Sequence, residues 1–219
     1  MSEATTENEP ADQPFPIPML RLAVLVSGSG RTLNNLLEWI SSGRLQAQIG
    51  VVVASRANVR GVTIATGAGI PVCILPPAGA PRTEWSKQIF AACRPSQPDL
   101  VVMAGFLHLL DIPDDFCNRV INIHPSLLPA FGGQGFYGLH VHRAVLQRGC
   151  TVSGCTVHIV DSEYDHGPIL LQKSVNVLPK DTPESLAARV FAAECNALPE
   201  ALNLHAAGLL PQLERNSHR

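Results

Sequence analysis

Three side chains with complementary roles in acyl transfer stand in two short segments, NIHPSLLP at residues 122–129 and DHGP at residues 165–168. The Asn122 amide can donate hydrogen bonds to a developing oxyanion, and the His124 imidazole can donate or exchange a proton. The Asp165 carboxylate can orient and charge that imidazole. If a strand begins at Val120, Asn122 and His124 share one face of it. The three residues are therefore the predicted catalytic group.

A purely structural role is the common alternative for a lone Asn-x-His pattern, because short motifs match often by chance. In that interpretation His124 caps a strand end before Pro125, and Asn122 satisfies a turn. Other segments of the chain are needed to distinguish the catalytic from the structural interpretation.

The segment LRLAVLVSGSGRTLNNLLEWI, residues 20–40, predicts a strand, a glycine-rich turn and a helix that begins near Arg31. Backbone N–H groups of Gly28, Ser29 and Gly30 can approach an anion beside the positive end of that helix. Arg31 and Thr32 add a charge and a hydroxyl. We therefore expect a phosphate site, with a ligand-free tight turn as the alternative. The glycine spacing disfavours a nucleoside triphosphate or a dinucleotide, since Leu33 occupies the third position after Gly30.

Apolar runs alternate with helix-like segments through the first part of the chain, which is typical of βαβ units in a mainly parallel sheet. The predicted strands are Leu20–Val26, Ile49–Ala54, Pro71–Leu75, Leu100–Ala104 and Val120–Ile123, and the predicted helices are Arg31–Ser41, Val59–Ala68 and Thr83–Ala92. Ligands are expected at the carboxyl ends of the strands.

A different pattern follows Pro129. A glycine-rich loop becomes helical near Val141, and two β-rich runs, Thr151–Val160 and Ile169–Val177, predict antiparallel neighbours. A last helix is expected over Pro183–Ala207, with Asp181 or Thr182 as its N-cap. The predicted fold class is α/β: a Rossmann-like, mainly parallel twisted sheet with helices on both faces and an antiparallel C-terminal portion.

Composition narrows the class of protein. A net charge of −2 and a pI near 6.4, without any Lys/Arg run, argue against nucleic-acid partners. The six cysteines lack C-x-x-C spacing and are expected to be reduced, packed thiols, and no metal site is predicted. Residues 1–18 are predicted to be a disordered tail, with a docking segment as the alternative, and residues 19–219 a single domain. The absence of a long apolar run predicts a soluble, cytoplasmic protein that does not enter membranes.

Five segments resemble, in order, those of the phosphoribosylglycinamide formyltransferase family of folate-dependent formyltransferases. They are SGSGRTLNNL, PDLVVMAGFLHLL, INIHPSLLPAF, GCTVHIVDSEYDHGPILLQ and RVFAAECNALPEAL. The resemblance covers residues 20–210 and implies the formyltransferase fold, small-molecule substrates and a monomer or homodimer. It implies transfer of a formyl group from 10-formyltetrahydrofolate, as co-substrate, to the amine of 5-phosphoribosylglycinamide in de novo purine biosynthesis.

The resemblance also assigns binding residues. The turn formed by Gly28, Ser29, Gly30, Arg31 and Thr32 is expected to hold the ribonucleotide phosphate, and Glu194 to accept hydrogen bonds from the ribose hydroxyls. Without the resemblance, Glu194 would read as a solvated helix residue. The residues expected to contact the folate are Arg82, Leu107, His108, Leu109, Leu110, Asn122, Asp161 and Asp165. Arg82 would meet the folate's glutamate tail, and at least one of the leucines is expected to be ordinary core.

Several positions depart from the pattern that the resemblance implies. His108 stands where many relatives carry Arg, and Cys195 replaces a common His beside Glu194. The glycine-rich loop at 131–138 is expanded and predicts a mobile lid, which leaves the roles of His140 and His142 open. His166 is expected either to pack on its loop or to perturb Asp165.

Three other functions compete with formyl transfer to the ribonucleotide. The nearest is a formyltetrahydrofolate deformylase, in which water receives the formyl group, although the SGSGRT turn favours a phosphorylated acceptor. A methionyl-tRNA formyltransferase would need a basic surface. A noncatalytic nucleotide- or folate-binding protein is expected to lack one or more of Asn122, His124 and Asp165.

Overall fold

The structure is a computed structural model that describes residues 18–210. The tail predicted over residues 1–18 lies outside the described residues apart from Pro18, as do residues 211–219. The strands are β1 Leu20–Val26, β2 Ala47–Ala54, β3 Val72–Ile74, β4 Leu100–Met103, β5 Val120–His124, β6 Val152–Ile159 and β7 Ile169–Asn176. The α-helices are α1 Arg31–Ser41, α2 Arg60–Gly67, α3 Arg82–Cys93, α4 Leu139–Gln147 and α5 Pro183–Ala206.

All of these strands form one seven-stranded sheet in the order β3-β2-β1-β4-β5-β6-β7. The strands from β1 to β5 pair in parallel, whereas β6 runs antiparallel to both β5 and β7. The predicted fold class is thus confirmed, including its antiparallel C-terminal portion. Strand order reverses between β1 and β4, and ligand crevices of open α/β sheets form at such a point.

Two apolar cores lie on opposite faces of the sheet because the side chains of each strand alternate between its faces. In β1, Leu22, Val24 and Val26 pack on the face covered by α1, α2, α4 and α5. The neighbouring Ala23 and Leu25 pack on the other face with α3. Strand β4 is therefore apolar throughout, whereas its neighbours β1 and β5 carry the polar residues Arg21, Asn122 and His124.

Helix α5 is the longest helix of the described residues, with 24 residues. Its N-terminus carries a capping box, in which the Thr182 hydroxyl accepts from the Ser185 N–H and the Ser185 hydroxyl accepts from the Thr182 N–H. Thr182, rather than Asp181, is thus the N-cap. Asp181 instead pairs with Arg189, nearly two turns into the helix, at 2.6 Å. No helix within residues 18–210 combines the length and the apolar character needed to cross a membrane.

Candidate active site

A cavity of about 650 Å³ opens where the sheet order reverses. Its walls come from the turn after β1, the segment after β4, the end of β5, the 133–139 loop and helix α5. This volume falls within the usual range of small-molecule sites. The predicted catalytic residues Asn122, His124 and Asp165 all line it.

His124 and Asp165 are in contact at the base of this cavity. His124 Nδ1 lies 3.3 Å from Asp165 Oδ2, and both side chains are largely buried. His124 Nε2 lies 2.8 Å from the Phe131 carbonyl oxygen, which can only accept. Since acceptors face both ring nitrogens, the doubly protonated imidazolium satisfies this arrangement best.

The Asp165 carboxylate is strongly stabilised in its charged form. Burial by itself would raise its pKa, but contacts with His124 and the Gly133 N–H, which donates to Oδ2 at 2.9 Å, outweigh burial. The pKa of Asp165 is therefore held well below its ordinary value. The backbone of Asp165 has a φ of 54°, in the left-handed region that few non-glycine residues adopt.

His158 is a member of this group that the sequence analysis did not single out. It lies directly opposite Asn122 in the antiparallel β5–β6 pair. Its Nδ1 lies 2.8 Å from the Ile159 carbonyl oxygen, and its Nε2 lies 3.2 Å from Asn122 Nδ2. With its proton on Nδ1, His158 donates to that carbonyl and accepts one Asn122 N–H, which fixes the amide and leaves its second N–H for a ligand. The only sequence signal was the alternation of Thr156 and His158 along β6.

The glycine-rich turn lies at the other end of the cavity, where Ser29, Arg31 and Thr32 line the wall. Gly28 and Gly30 shape the turn with their backbones. At Gly30, φ is 67°, and a Cβ would lie 2.6 Å from the Gly61 α-carbon, so only glycine fits. Helix α1 starts immediately afterwards, which leaves its first N–H groups free.

Glu194 lines the same end of the cavity, from helix α5. Burial raises the pKa of its carboxyl group to about 7, although the charges of Arg31 and His124 act in the opposite direction. Glu194 is thus a cavity residue rather than a solvated one.

The predicted folate residues divide into two groups. Leu107, His108 and Leu109 line the cavity beside Asn122 and Asp165. Leu110 does not reach it, because its side chain is fully buried in the core on the α3 face.

Two of the predicted folate residues are engaged elsewhere. Arg82 lines an adjoining open groove and forms an ion pair with Asp111 at 2.7 Å. Asp161 organises its own loop, accepting from the Glu163 N–H at 2.9 Å and lying 2.7 Å from His166 Nδ1. The Asp161 carboxylate raises the pKa of His166. His166 therefore pairs with Asp161 rather than Asp165.

The remaining histidines near the cavity also have defined positions. His142 on α4 is buried and lines the wall, and burial together with the charge of His124 lowers its pKa. His140 is exposed and packs edge-on against Tyr137. His108 packs against Trp85 and Phe106, and burial with the nearby Arg56 charge lowers its pKa. Within residues 18–210, no cluster of three or more His, Cys, Asp or Glu side chains is arranged to hold a metal ion.

Comparison with known proteins identifies the family. Residues 20–202 match the family described as formyl transferase. The chain belongs to the formyl transferase family. The match spans both the glycine-rich turn and the Asn122, His124 and Asp165 group, so the cavity of this family member lies wholly within the matched region.

Three relatives differ in their similarity to this chain. A phosphoribosylglycinamide formyltransferase from Arabidopsis thaliana is 40% identical over 80% of this chain, which covers 61% of that protein's length. The solved structure of glycinamide ribonucleotide transformylase 1 from Symbiobacterium toebii is 40% identical, with a TM-score of 0.81 over 87% of this chain and 89% of that one. A formyltetrahydrofolate deformylase from Pseudomonas syringae is more distant, at 26% identity and a TM-score of 0.77 over 87% of this chain and 62% of that one.

Proposed function

We propose that this chain transfers the formyl group of 10-formyltetrahydrofolate to the glycinamide amine of 5-phosphoribosylglycinamide, a step of de novo purine biosynthesis. One observation carries the proposal: a single cavity joins the His124–Asp165 pair and Asn122 to the glycine-rich turn at Ser29–Thr32. Such a cavity can hold a phosphorylated acceptor and a formyl donor with the acyl-transfer residues between them. The names of the Arabidopsis thaliana and Symbiobacterium toebii relatives, a phosphoribosylglycinamide formyltransferase and a glycinamide ribonucleotide transformylase, support the same assignment.

The ribonucleotide occupies the end of the cavity near α1. Its phosphate binds the free N–H groups of the turn and the Arg31 guanidinium, and Thr32 adds a hydroxyl donor. The ribose hydroxyls donate to the Glu194 carboxylate, whose two oxygens suit two adjacent donors. The glycinamide amine then points toward His124.

The folate occupies the opposite end. Leu107 and Leu109 cover the faces of the flat pterin ring, and backbone groups of this segment pair with its edge. The glutamate tail continues into the adjoining groove, where Arg82 guides it at the surface. Leu110 supports this wall from the core, and Asp161 supports it through its loop contacts.

The reaction proceeds by direct transfer. The amine attacks the formyl carbon, and the resulting tetrahedral oxyanion collapses with expulsion of the folate N10, which receives a proton as the amine loses one. Asn122 donates its free N–H to the oxyanion, and His124 donates when its Nε2–H exchanges the Phe131 carbonyl for the oxyanion. Asp165 maintains the imidazolium and relays the amine proton through water. Asn122 and His124 thus stabilise the negative charge of the oxyanion, and Asp165 receives the proton of the attacking amine through water.

Residues 19–219 act as one domain in this proposal, with both substrates bound within the family match. Formyl transfer to water is the second candidate function, which the fold of the Pseudomonas syringae deformylase favours. The two functions differ in the acceptor and share the catalytic residues.

A paired assay separates them. Loss of the formyl group from 10-formyltetrahydrofolate is measured with and without 5-phosphoribosylglycinamide, and formylated ribonucleotide is quantified by mass. Acceptor-dependent loss with stoichiometric formylation supports the transferase. Equal loss in both arms, with formate as the product, supports the deformylase and overturns the proposal.

A further inference from the structure

Arg31 of the glycine-rich turn packs against an aromatic ring from helix α5. Its guanidinium carbon lies 3.5 Å above the centre of the Phe191 ring. Both side chains line the main cavity and also a neighbouring pocket of about 180 Å³. Arg31 makes no salt bridge to any residue of the 18–210 range. The ring is therefore the principal contact of this cation.

Stacking restrains Arg31 without using its hydrogen-bond donors. A guanidinium that lies flat on a ring keeps its N–H groups in its own plane, where they can still bind a phosphate. Because the Arg31 side chain is already restrained, it loses less conformational entropy when a phosphate binds. Arg31 is thus pre-organised beside the free N–H groups at the start of α1.

The position of the ring is fixed by the packing of α5 on α1. Phe191 and Glu194 are three residues apart on α5, so they share one face of that helix. The buried Asn35 side chain on α1 donates to the Cys195 carbonyl oxygen on α5 at 2.9 Å. This bond ties the two helices together next to the ring.

Arg31 and Glu194 line the same cavity and carry opposite charges when both are ionised. Arg31 is close enough to Glu194 for its charge to oppose the rise in the carboxyl pKa, yet the two side chains form no salt bridge within the described range. An ion pair between them would occupy both groups that the proposed function assigns to the ribonucleotide.

We propose that Phe191 is a positioning residue that aims the Arg31 guanidinium at the acceptor's phosphate. The inference rests on the proposed function and deepens it: recognition of the phosphate depends on an aromatic support outside the glycine-rich turn. The ring itself does not touch the reacting atoms.

Steady-state kinetics of Phe191→Leu and Phe191→Tyr test the assignment. We expect Phe191→Leu to raise the KM for the ribonucleotide about tenfold, the effect of losing a partly desolvated cation–π contact. The KM for the formyl-folate and kcat change less than about twofold, and Phe191→Tyr restores the KM because it keeps the ring. An unchanged ribonucleotide KM in Phe191→Leu, or equal rises in both KM values, overturns the proposal.

A binding experiment separates this inference from the proposed function. Ribose 5-phosphate and ribose are titrated calorimetrically into the wild-type chain, Phe191→Leu, Arg31→Met and the double variant. If the ring acts through Arg31, Phe191→Leu weakens binding of ribose 5-phosphate only, and adds nothing in the Arg31→Met background. Additive losses overturn the proposal. If Phe191→Leu binds ribose 5-phosphate more weakly but the wild-type chain transfers no formyl group, only the proposed function is overturned. If the wild-type chain transfers the formyl group but Phe191→Leu binds ribose 5-phosphate as the wild type does, only the Phe191 assignment is overturned.

Discussion

Most hydrogen-bonding groups of the catalytic residues already have partners within the protein, so few donors remain for the oxyanion. Asp165 shares its carboxylate between His124 and the Gly133 N–H, and Asn122 uses one N–H on His158. One amide N–H and, after release of the Phe131 carbonyl, one imidazolium N–H remain for the oxyanion. Each side chain of the group therefore has a defined role in the proposed reaction, and the loss of any one should be measurable.

Substitution of Asn122, His124 or Asp165 by alanine should lower kcat by about a hundred- to a thousandfold, since each removes or disables an oxyanion donor. Steady-state rates measure the loss, and circular dichroism checks that the fold is intact. The matched control is His166→Ala, because His166 is an exposed histidine of the same loop that pairs with Asp161. A loss as large in that control would show that the loop, rather than the catalytic group, had been tested.

His158→Ala should lower kcat about tenfold with little change in either KM, because the Asn122 amide loses the acceptor that orients it. Asn122 stays in place, so the loss should be smaller than for Asn122→Ala. In an Asn122→Ala background the His158 substitution should have almost no further effect on kcat. Independent, multiplicative losses would contradict this positioning role.

The pH dependence of acceptor binding should report on Glu194. Its carboxyl has a pKa of about 7, so it loses its charge, and one acceptor oxygen, as pH falls through that value. The KM for the ribonucleotide should therefore rise from about pH 8 to about pH 6, while the KM for formyl-folate serves as the internal control. In Glu194→Gln the ribonucleotide KM should be higher at pH 8 and nearly independent of pH.

The same group gives a measurement that does not need substrates. A carboxyl whose pKa is raised on folding favours the folded state while protonated, and that advantage is lost as pH rises through about 7. The Tm of Glu194→Gln relative to the wild type should therefore increase from about pH 5 to about pH 8. A constant difference in Tm would mean that the group is not perturbed by burial.

At the level of elements, local patterns predicted most of what the structure contains. The α1 prediction, Arg31–Ser41, is confirmed at both ends, because apolar spacing and the glycine turn both mark it. The β5 strand could likewise be predicted, with Asn122 and His124 on one face. His158 could not be assigned, since its place opposite Asn122 depends on the register of two distant strands. The ion pairs of Arg82 and Asp161 could not be predicted from the sequence either, because they depend on loop conformation.

The N-cap of α5 sets the stability of the helix that carries Phe191 and Glu194. Thr182→Ala removes the acceptor for the Ser185 N–H and should lower the free energy of unfolding by about 1 kcal/mol. Thr182→Ser keeps the hydroxyl and is the control. Chemical denaturation measures both, and equal stability of all three proteins would show that this cap contributes nothing.

For the whole molecule, the sheet joins two cores that must unfold together if residues 19–219 form one domain. The chain has two tryptophans, which report on opposite faces: Trp39 packs with the core that includes α1 and α5, and Trp85 with the core beneath α3. We expect Trp39→Phe and Trp85→Phe, each with one reporter left, to show fluorescence transitions that coincide with circular dichroism of the same variant. Separate transitions for the two reporters would show that the two cores unfold independently and do not form one cooperative domain.

The backbone of Asp165 has a consequence for protein engineering. This residue combines a left-handed φ of 54° with a carboxylate that contacts His124 and the Gly133 N–H, so glycine would relieve the backbone strain but lose both contacts. These effects oppose each other in Tm, so a screen that rewards thermostability alone would not remove inactive clones altered at this position. Laboratory evolution of this scaffold needs a growth or turnover criterion alongside heat resistance.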